Sequence, residues 1–460
     1  MTITDAYGYP LTLSDAGALQ PWRGAVRAFL AHGRATPDLV AETLRLAPDF
    51  ALCHAVHGLF CMLLGRREMV AVAAEDLERA RTASAAVGVS PREAAVVNAL
   101  GDWLAGHPAR AGARLDAALA DHPADPLLMK LVHAIRFVLG DAAGMRRSLA
   151  GVEHAFAPDH PERGYFLGCQ AFALEETGDY ALAERVGREA VALAPDDAWG
   201  LHAVAHVYDM TARVEDGRAW LEANTAAFSH CNNFRFHVWW HLALMYLERG
   251  DVSRVLELYD EEIRAERTDD YRDISNAASL LVRLEIEGVN VGGRWDELAR
   301  LAEARVDDRC NIFADLHYML SLEGGDRRDA ADALIASMGA HAGEETDMGR
   351  IAAAAGMPAV LGLEAWARGN YFSAFRHLDR ARPQLFRIGG SHAQRDVFER
   401  LAIEAALRAG LCLEAERLLR ERVTLRGGLD RFAEVRFERA ERMRLATRLM
   451  QDEALRAIPA

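Results

Sequence analysis

The sequence predicts an all-α solenoid of stacked helical hairpins, and three observations carry that prediction. Valine and isoleucine do not alternate with polar residues as in a half-buried strand, and Ala, Leu, Glu and Arg dominate instead. Glycines recur behind helix-length segments, with small residues at fixed offsets on either side. No low-complexity linker divides the 460 residues into separate domains. A repeat protein lengthens by adding neighbours, so this length does not call for several globular cores.

The clearest unit runs from Gly164 to Pro195. Small residues at position 8 of helix A and at positions 20 and 27 of helix B let hairpin helices approach. A glycine near 15 makes the turn, and a proline at 32 ends the unit. Ala171, Gly178, Ala183, Ala190 and Pro195 occupy those places, which is the tetratricopeptide pattern. The same frame recurs at Gly58/Gly65, Ala99/Gly106/Ala111/Ala118/Pro123, Gly140, Ala243/Gly250, Gly362/Gly369/Ala374/Ala381 and Gly410/Ala415. Leu201–Leu221 continues from the best unit, with Ala212 in place of the turn glycine, and two less regular units surround Ser279–Leu301 and Phe313–Met338. The expected architecture is a right-handed, strongly curled solenoid of about nine to ten hairpins. Residues 1–40 form an N-terminal segment and first helix, 41–425 the repeats, and 426–460 a C-terminal capping helix. The weakest register is Met338–Gly356, which reads as a longer loop.

Composition narrows the partners. A net charge of −15 argues against nucleic acid and against an anionic membrane surface. Lys130 is the only lysine, so Schiff-base chemistry has a single candidate. Six scattered cysteines without a Cys-x-x-Cys pair read as reduced, buried thiols. The first residues lack a basic region followed by an apolar one, and the apolar run Phe50–Leu64 is too short to span a bilayer. These features make a cytoplasmic protein the expectation.

The chemistry concentrates in two His-x-x-x-His pairs 35 residues apart, His202/His206 and His237/His241. Residues i and i+4 share one helix face, so each pair points both imidazoles the same way. In a tetratricopeptide hairpin, positions 2, 5, 6, 9 and 12 of helix A face the concave groove. With Ala205 and Ala243 at position 8, His202, His206 and Asp209 take positions 5, 9 and 12, and His237 and His241 take 2 and 6. Trp199 at position 2 and Trp240 at 5 add aromatic walls. Three uses follow: a divalent metal held by these imidazoles, a general base oriented by a carboxylate, or capture of a polar ligand. Neither pair is His-Glu-x-x-His, so the metalloprotease pattern is absent.

Further candidates lie outside the pairs. Asp315 falls on the groove at position 5 if Gly325 is its turn residue, in preference to His317. The segment Gly389–Asp396 brings His392, Gln394 and Arg395 to a helix start, where free amides suit an oxyanion and where Ser391 equally suits an N-cap. Joining that segment to the histidines requires the solenoid to curl back on its own middle. Lys130 falls at position 5 and faces the groove. His54, His57 and His133 read as core or interface residues, and Asp273 and Asn276 as caps.

At these residues the chain resembles the tetratricopeptide repeat protein 38 family. The resemblance is carried by His-Ala-x-Ala-His at 202–206, His-x-x-Trp-His at 237–241, Ser279-Leu-Leu-x-Arg-Leu-Glu285 and Gly292-Gly-Arg-Trp295. It continues in Asp315-x-His-Tyr-Met319, Gly390-Ser-His-Ala-Gln-Arg-Asp396 and the start Asp5-x-x-Gly8-x-Pro10-Leu-Thr-x-Ser14. Asn276 and Gly293 stand where the pattern has acidic residues, which weakens that stretch as a source of metal ligands. The resemblance implies a soluble helical-repeat protein and supplies no reaction.

The functional expectation is a His-rich groove that binds a polar small molecule or short peptide and acts on it by hydrolase or lyase chemistry, with or without a divalent metal. His206 or His241 is the candidate base, with Asp209 beside it and His392 as partner for the oxyanion or leaving group. Trp199, His202, His237, Trp240, Asp315, Gln394, Arg395 and Lys130 are candidate binding residues. The alternative is a non-catalytic adaptor that holds a protein partner in the groove.

Overall fold

The computed structural model describes residues 3–456. A two-strand antiparallel ribbon, β1 (Ile3–Thr4) with β2 (Pro10–Leu11), precedes a chain of helices. Helices α1 (Leu19–Leu30) and α2 (Thr36–Leu46) pack together as an opening pair. Ten hairpins follow: α3/α4 (Ala51–Leu63, Arg67–Val87), α5/α6 (Pro91–Leu104, Pro108–Asp121), α7/α8 (Pro126–Val138, Ala142–Val152), α9/α10 (Arg163–Glu175, Tyr180–Leu193), α11/α12 (Ala198–Met210, Val214–Ala223), α13/α14 (Phe234–Arg249, Val252–Leu258), α15/α16 (Tyr271–Ile286, Arg294–Glu303), α17/α18 (Ile312–Gly324, Arg328–His341), then, after the short α19 (Asp347–Ile351), α20/α21 (Met357–Ala367, Tyr371–Ala381), and α22/α23 (His392–Arg408, Cys412–Arg426). Helix α24 (Arg431–Arg456) comes last. The stretch expected as a loop before Gly356 is instead mostly helical, with α18 reaching His341 and α19 running through a π-turn into α20.

Local sequence accounts for the helix ends. Asp125, Asp141, Asp197 and Asp251 each accept a backbone N–H of the helix they open, and Ser90 with Glu93 closes a capping box on α5. Most hairpin turns need a left-handed residue, which the framed glycines supply. Ala212 takes the same conformation (φ 55°) without being glycine. In α17 the left-handed residue is Asp326 (φ 53°), not Gly324 or Gly325. Those two glycines serve close packing, since a Cβ on either would lie 2.4 Å from Trp295 or 2.3 Å from Ala299. The shift in turn position moves Asp315 to position 4 of its repeat and His317 to position 6, reversing their expected order.

The superhelix closes on itself. His230 Nε2 donates to the carbonyl of Ala31 at 3.0 Å, the His392 amide to Glu176 Oε1 at 2.6 Å, and Arg426 pairs with Asp209 at 3.0 Å, across separations of 199 to 217 residues. Arg66–Asp269 (2.7 Å) and the Asp347 amide on the Gly106 carbonyl (2.9 Å) join the turns elsewhere. Gly140 sits at the tightest crossing, where a Cβ would lie 1.8 Å from the Phe386 carbonyl oxygen. The second turn of hairpins therefore lies against the first, with two continuous apolar cores that meet around α11 and α13. A buried ionic cluster pins the join: Arg422 bridges Asp396 and Asp430, and Arg400 spans Asp396 and Glu248.

Candidate functional site: a four-imidazole cluster beside a cavity

Helices α11 and α13 bring the four histidines together. His206 Nε2 lies 2.8 Å from His202 Nε2, His202 Nε2 3.0 Å from His237 Nε2, and His237 Nε2 3.2 Å from His241 Nε2. One nitrogen from each ring falls within 4.8 Å of the other three, and all four residues are buried. A tetrahedral ion with Zn–N bonds of about 2.0–2.1 Å would set its nitrogens roughly 3.3–3.4 Å apart. Three of the six nitrogen–nitrogen separations, 2.8, 3.0 and 3.2 Å, come near that spacing, and all lie within 4.8 Å.

The far side of each ring bears on the same question. His237 Nδ1 donates to Asn276 Oδ1 at 2.9 Å, which leaves Nε2 as a bare lone pair facing the cluster. His206 Nδ1 lies 3.4 Å from Glu175 Oε2, close enough for an ion pair though not aligned as a hydrogen bond. Neither oxygen of Glu175 has a hydrogen-bond partner, and the residue is fully buried. Burial raises the Glu175 carboxyl above its usual range, with His206 pulling the other way. Burial opposes the charge of His206, yet Glu175, with Glu176 and Asp209 behind it, holds that ring above the ordinary histidine value. Burial and the neighbouring imidazoles push His202 and His241 well below it, and burial brings His237 down to about 3. Burial thus favours the neutral form of three of the four rings, each of which keeps one nitrogen lone pair.

His202 and His237 form part of the wall of a cavity of about 380 Å³, while His206 and His241 lie behind them. The cavity sits between the two turns of the superhelix. Phe29, Phe60, Lys130 and Trp199 come from the first turn, and Tyr271, Asn311 and the Ile388–Ser391 strip from the second. One wall is an aromatic stack: His32 lies 4.5 Å from Phe234 and 5.4 Å from Trp199, ring centre to ring centre.

The other sequence candidates are placed as follows. Trp199 lines the cavity, donates from Nε1 to His133 Nε2 at 3.2 Å, and carries the Lys130 ammonium over its face at 4.9 Å. His133, read as a core or interface residue, is buried and also lines the cavity. Trp240 is fully buried and stacks on His237 at 5.3 Å, so it supports a ring of the cluster without reaching the cavity. Asp209 is taken up by Arg426, which binds both its carboxylate and its carbonyl, so it is not free to orient a catalytic base. Asp315 is buried away from the cavity wall, and burial raises its carboxyl to about 8. His317 is spent in part on the Phe313 carbonyl (2.7 Å).

The Gly389–Asp396 segment does reach the histidine-bearing region, but its polar groups are committed. Ser391 and Gln394 form a reciprocal capping box. His392 donates from Nε2 to the Glu176 carbonyl at 3.1 Å and accepts from Arg395 at Nδ1. Arg395 also binds Glu176 and the Gly390 carbonyl. His392 and Arg395 therefore clasp the two turns together, and the expected oxyanion role of His392 finds no free nitrogen. Gln394 alone of that trio lines the cavity. Glu175 was missed by sequence reasoning although it stood in the frame. With Ala171 at position 8, it occupies groove position 12, the place read for Asp209 one repeat later.

No family model matches the chain. Among solved structures it is similar to the human IFIT1 dimer with PPP-AAAA, at 17% sequence identity and a TM-score of 0.41, over 94% of this chain and 96% of that one. No helix among the described residues is long and apolar enough to cross a membrane. By the geometry of its own hairpins, the chain is a tetratricopeptide-like all-α solenoid.

Proposed function

We propose that His202, His206, His237 and His241 hold one divalent first-row transition metal, and that the protein uses it to bind and act on a small molecule in the adjoining cavity. The convergence of four ring nitrogens within 4.8 Å carries the reading. Without an ion, His202 Nε2 faces two ring nitrogens that it cannot both pair, having either one proton or one lone pair, and His202 and His241 have no partner at Nδ1. Imidazole ligands suit zinc, iron, copper or nickel. The Asn276 and Glu175 contacts match the outer shell that such ligands require, with Glu175 supplying negative charge behind a ring.

A substrate would meet the metal on the side of His202 and His237, the two ligands that reach the cavity. One of the four rings must yield a coordination position, or the ion must expand to five, for a Lewis-acid or bound-water role in hydrolysis or lyase chemistry. His206 and His241 would then act as ligands, not as free bases, because they lie behind the cavity wall.

A helical-repeat fold also supports an adaptor that binds a protein partner, and this is the second reading. The closed superhelix favours the small molecule at this site: a cavity of about 380 Å³ between packed turns is in the range of small-ligand pockets. The deciding experiment is metal content by plasma mass spectrometry on the purified protein and on a His202→Ala/His241→Ala double variant. About one ion per chain, lost in the variant at retained helicity, is the expected result. Protein that is metal-free as isolated and takes up no zinc, iron, copper or nickel on reconstitution refutes the metal centre.

A further inference from the structure

We infer that the ligand of the cavity is a small amphipathic monocarboxylate, its carboxylate paired with the ammonium of Lys130 and its apolar body lying against the phenylalanine-rich wall. This rests on the reading of the cavity as a ligand site and adds the chemical class of the ligand. The chain carries a net charge of −15, yet no Asp or Glu lines the cavity, whereas Arg34, Lys130 and Arg272 do. A cavity stripped of acids within an acidic protein selects for an anion.

The three cations are not equivalent. Arg272 is engaged by both oxygens of Asp270, and Arg34 is engaged by the carbonyls of Ser229 and His230. Lys130 is the chain's only lysine and is 4% exposed, and among the described residues no carboxylate lies within ion-pair distance of it. Its protein contacts are the Cys169 thiol at 3.7 Å and the face of Trp199. The buried Asp197 carboxyl feels the Lys130 charge from beyond ion-pair distance, and an ammonium held directly against only a thiol and an indole still gains from an anion that pairs with it. Of the three, Lys130 alone is buried without an oxygen partner, whereas Arg34 is exposed, so the buried end of the cavity offers one positive charge, which a single carboxylate matches.

The remaining wall describes the rest of the molecule. Phe29, Phe60, Phe137, Phe234 and Phe313 surround the space with apolar surface, so the body of the ligand is hydrocarbon or aromatic. Trp199 stands between the ammonium and the imidazoles, 5.1 Å from His202 between ring centres. Replacing Lys130 therefore leaves the four ring nitrogens in place.

The test uses octanoate, octanol and octylamine as probes on the full-length protein, with binding read by calorimetry and by quenching of tryptophan fluorescence. Metal content is measured on the same samples. The expected result is that octanoate binds the wild type on the order of tenfold to a hundredfold more tightly than octanol, with octylamine weakest. Lys130→Met should remove that preference at unchanged metal content and with a melting temperature no lower than that of the wild type, and Lys130→Arg should keep part of it. Octanoate binding no more tightly than octanol, or showing no binding at millimolar concentration, overturns the inference. So does a folded Lys130→Met variant that keeps the preference. If Lys130→Met does not fold, the three-probe series on wild type and Lys130→Arg decides. A bound metal with no carboxylate preference defeats this inference and leaves the metal centre standing, whereas a Lys130-dependent preference in metal-free protein does the reverse.

Discussion

The imidazole of His237 donates from Nδ1 to Oδ1 of Asn276 at 2.9 Å, and this bond fixes which nitrogen the ring turns towards its three neighbours. Asn276 stands where an acidic residue was expected, and its loss weakened the case for a ligand there. In the proposed metal site Asn276 would stand behind His237, where a neutral acceptor suffices to orient the ring.

Asn276→Ala should therefore weaken metal binding on the order of 10–100-fold, while Asn276→Asp, which keeps an acceptor on Nδ1, should retain it. Competition against a chelator of known affinity measures both. Equal affinity in the alanine variant would separate Asn276 from the cluster.

Glu175→Gln has opposite effects in the two forms of the protein. With metal bound, losing the carboxylate behind His206 should lower affinity. Without metal, removing a buried charge whose oxygens have no hydrogen-bond partner should leave the melting temperature unchanged or raise it. Melting curves of the stripped and loaded variant give both signs in one experiment.

Acid should destabilise the metal-free protein early. The folded values of His202, His237 and His241 lie below the unfolded value of about 6.5, so on acidification the unfolded chain takes up protons first. Their contribution is fully present above that value and is lost as pH falls towards about 3, the folded value of His237. Denaturant midpoints between pH 7.5 and about 4 should fall in the wild type, and fall less when His237 is replaced by Gln.

The closure of the superhelix can be tested at Arg426 and Asp209, which are both buried. Arg426→Ala leaves that carboxylate without its partner and should cost about 3–5 kcal/mol, whereas the Asp209→Ala/Arg426→Ala double variant should cost less than the sum of the singles. Asp209→Asn with retained ligand binding would place the residue in the scaffold.

Ala212 holds a left-handed conformation at a hairpin turn (φ 55°). Ala212→Gly should stabilise the protein by about 0.5–1 kcal/mol, because glycine meets no Cβ clash there and only part of that gain is returned as unfolded-state entropy. A lower denaturant midpoint in this variant would contradict the account.

What could be read from the sequence is what depends on near neighbours. The position-8 small residues and turn glycines place the hairpins, and the i, i+4 spacing with the repeat frame places the four histidines on one face. Glu175 was readable by the same rule, and Lys130 at position 5 does reach the cavity. The commitments of Asp209 to Arg426 and of His392 to Glu176 were not readable. They depend on the pitch of the superhelix, a sum of small rotations over several hairpins that no single motif encodes. For the same reason His32, Arg272 and Phe313 gave no signal in isolation. They become neighbours only when the second turn arrives.

The ring-nitrogen cluster draws on two adjacent hairpins, whereas the cavity wall spans Phe29 to Gln394. The two features therefore differ in contact order. His202 to His241 can assemble by local pairing as soon as α13 has formed, at the low entropic cost of a short loop. The cavity needs residues from Phe29 to Gln394, and Gly389 and Ser391 come into place only after the preceding hairpins have been made. On the proposed reading, a growing chain would take up the ion in an open groove first and acquire the walls around the ligand last.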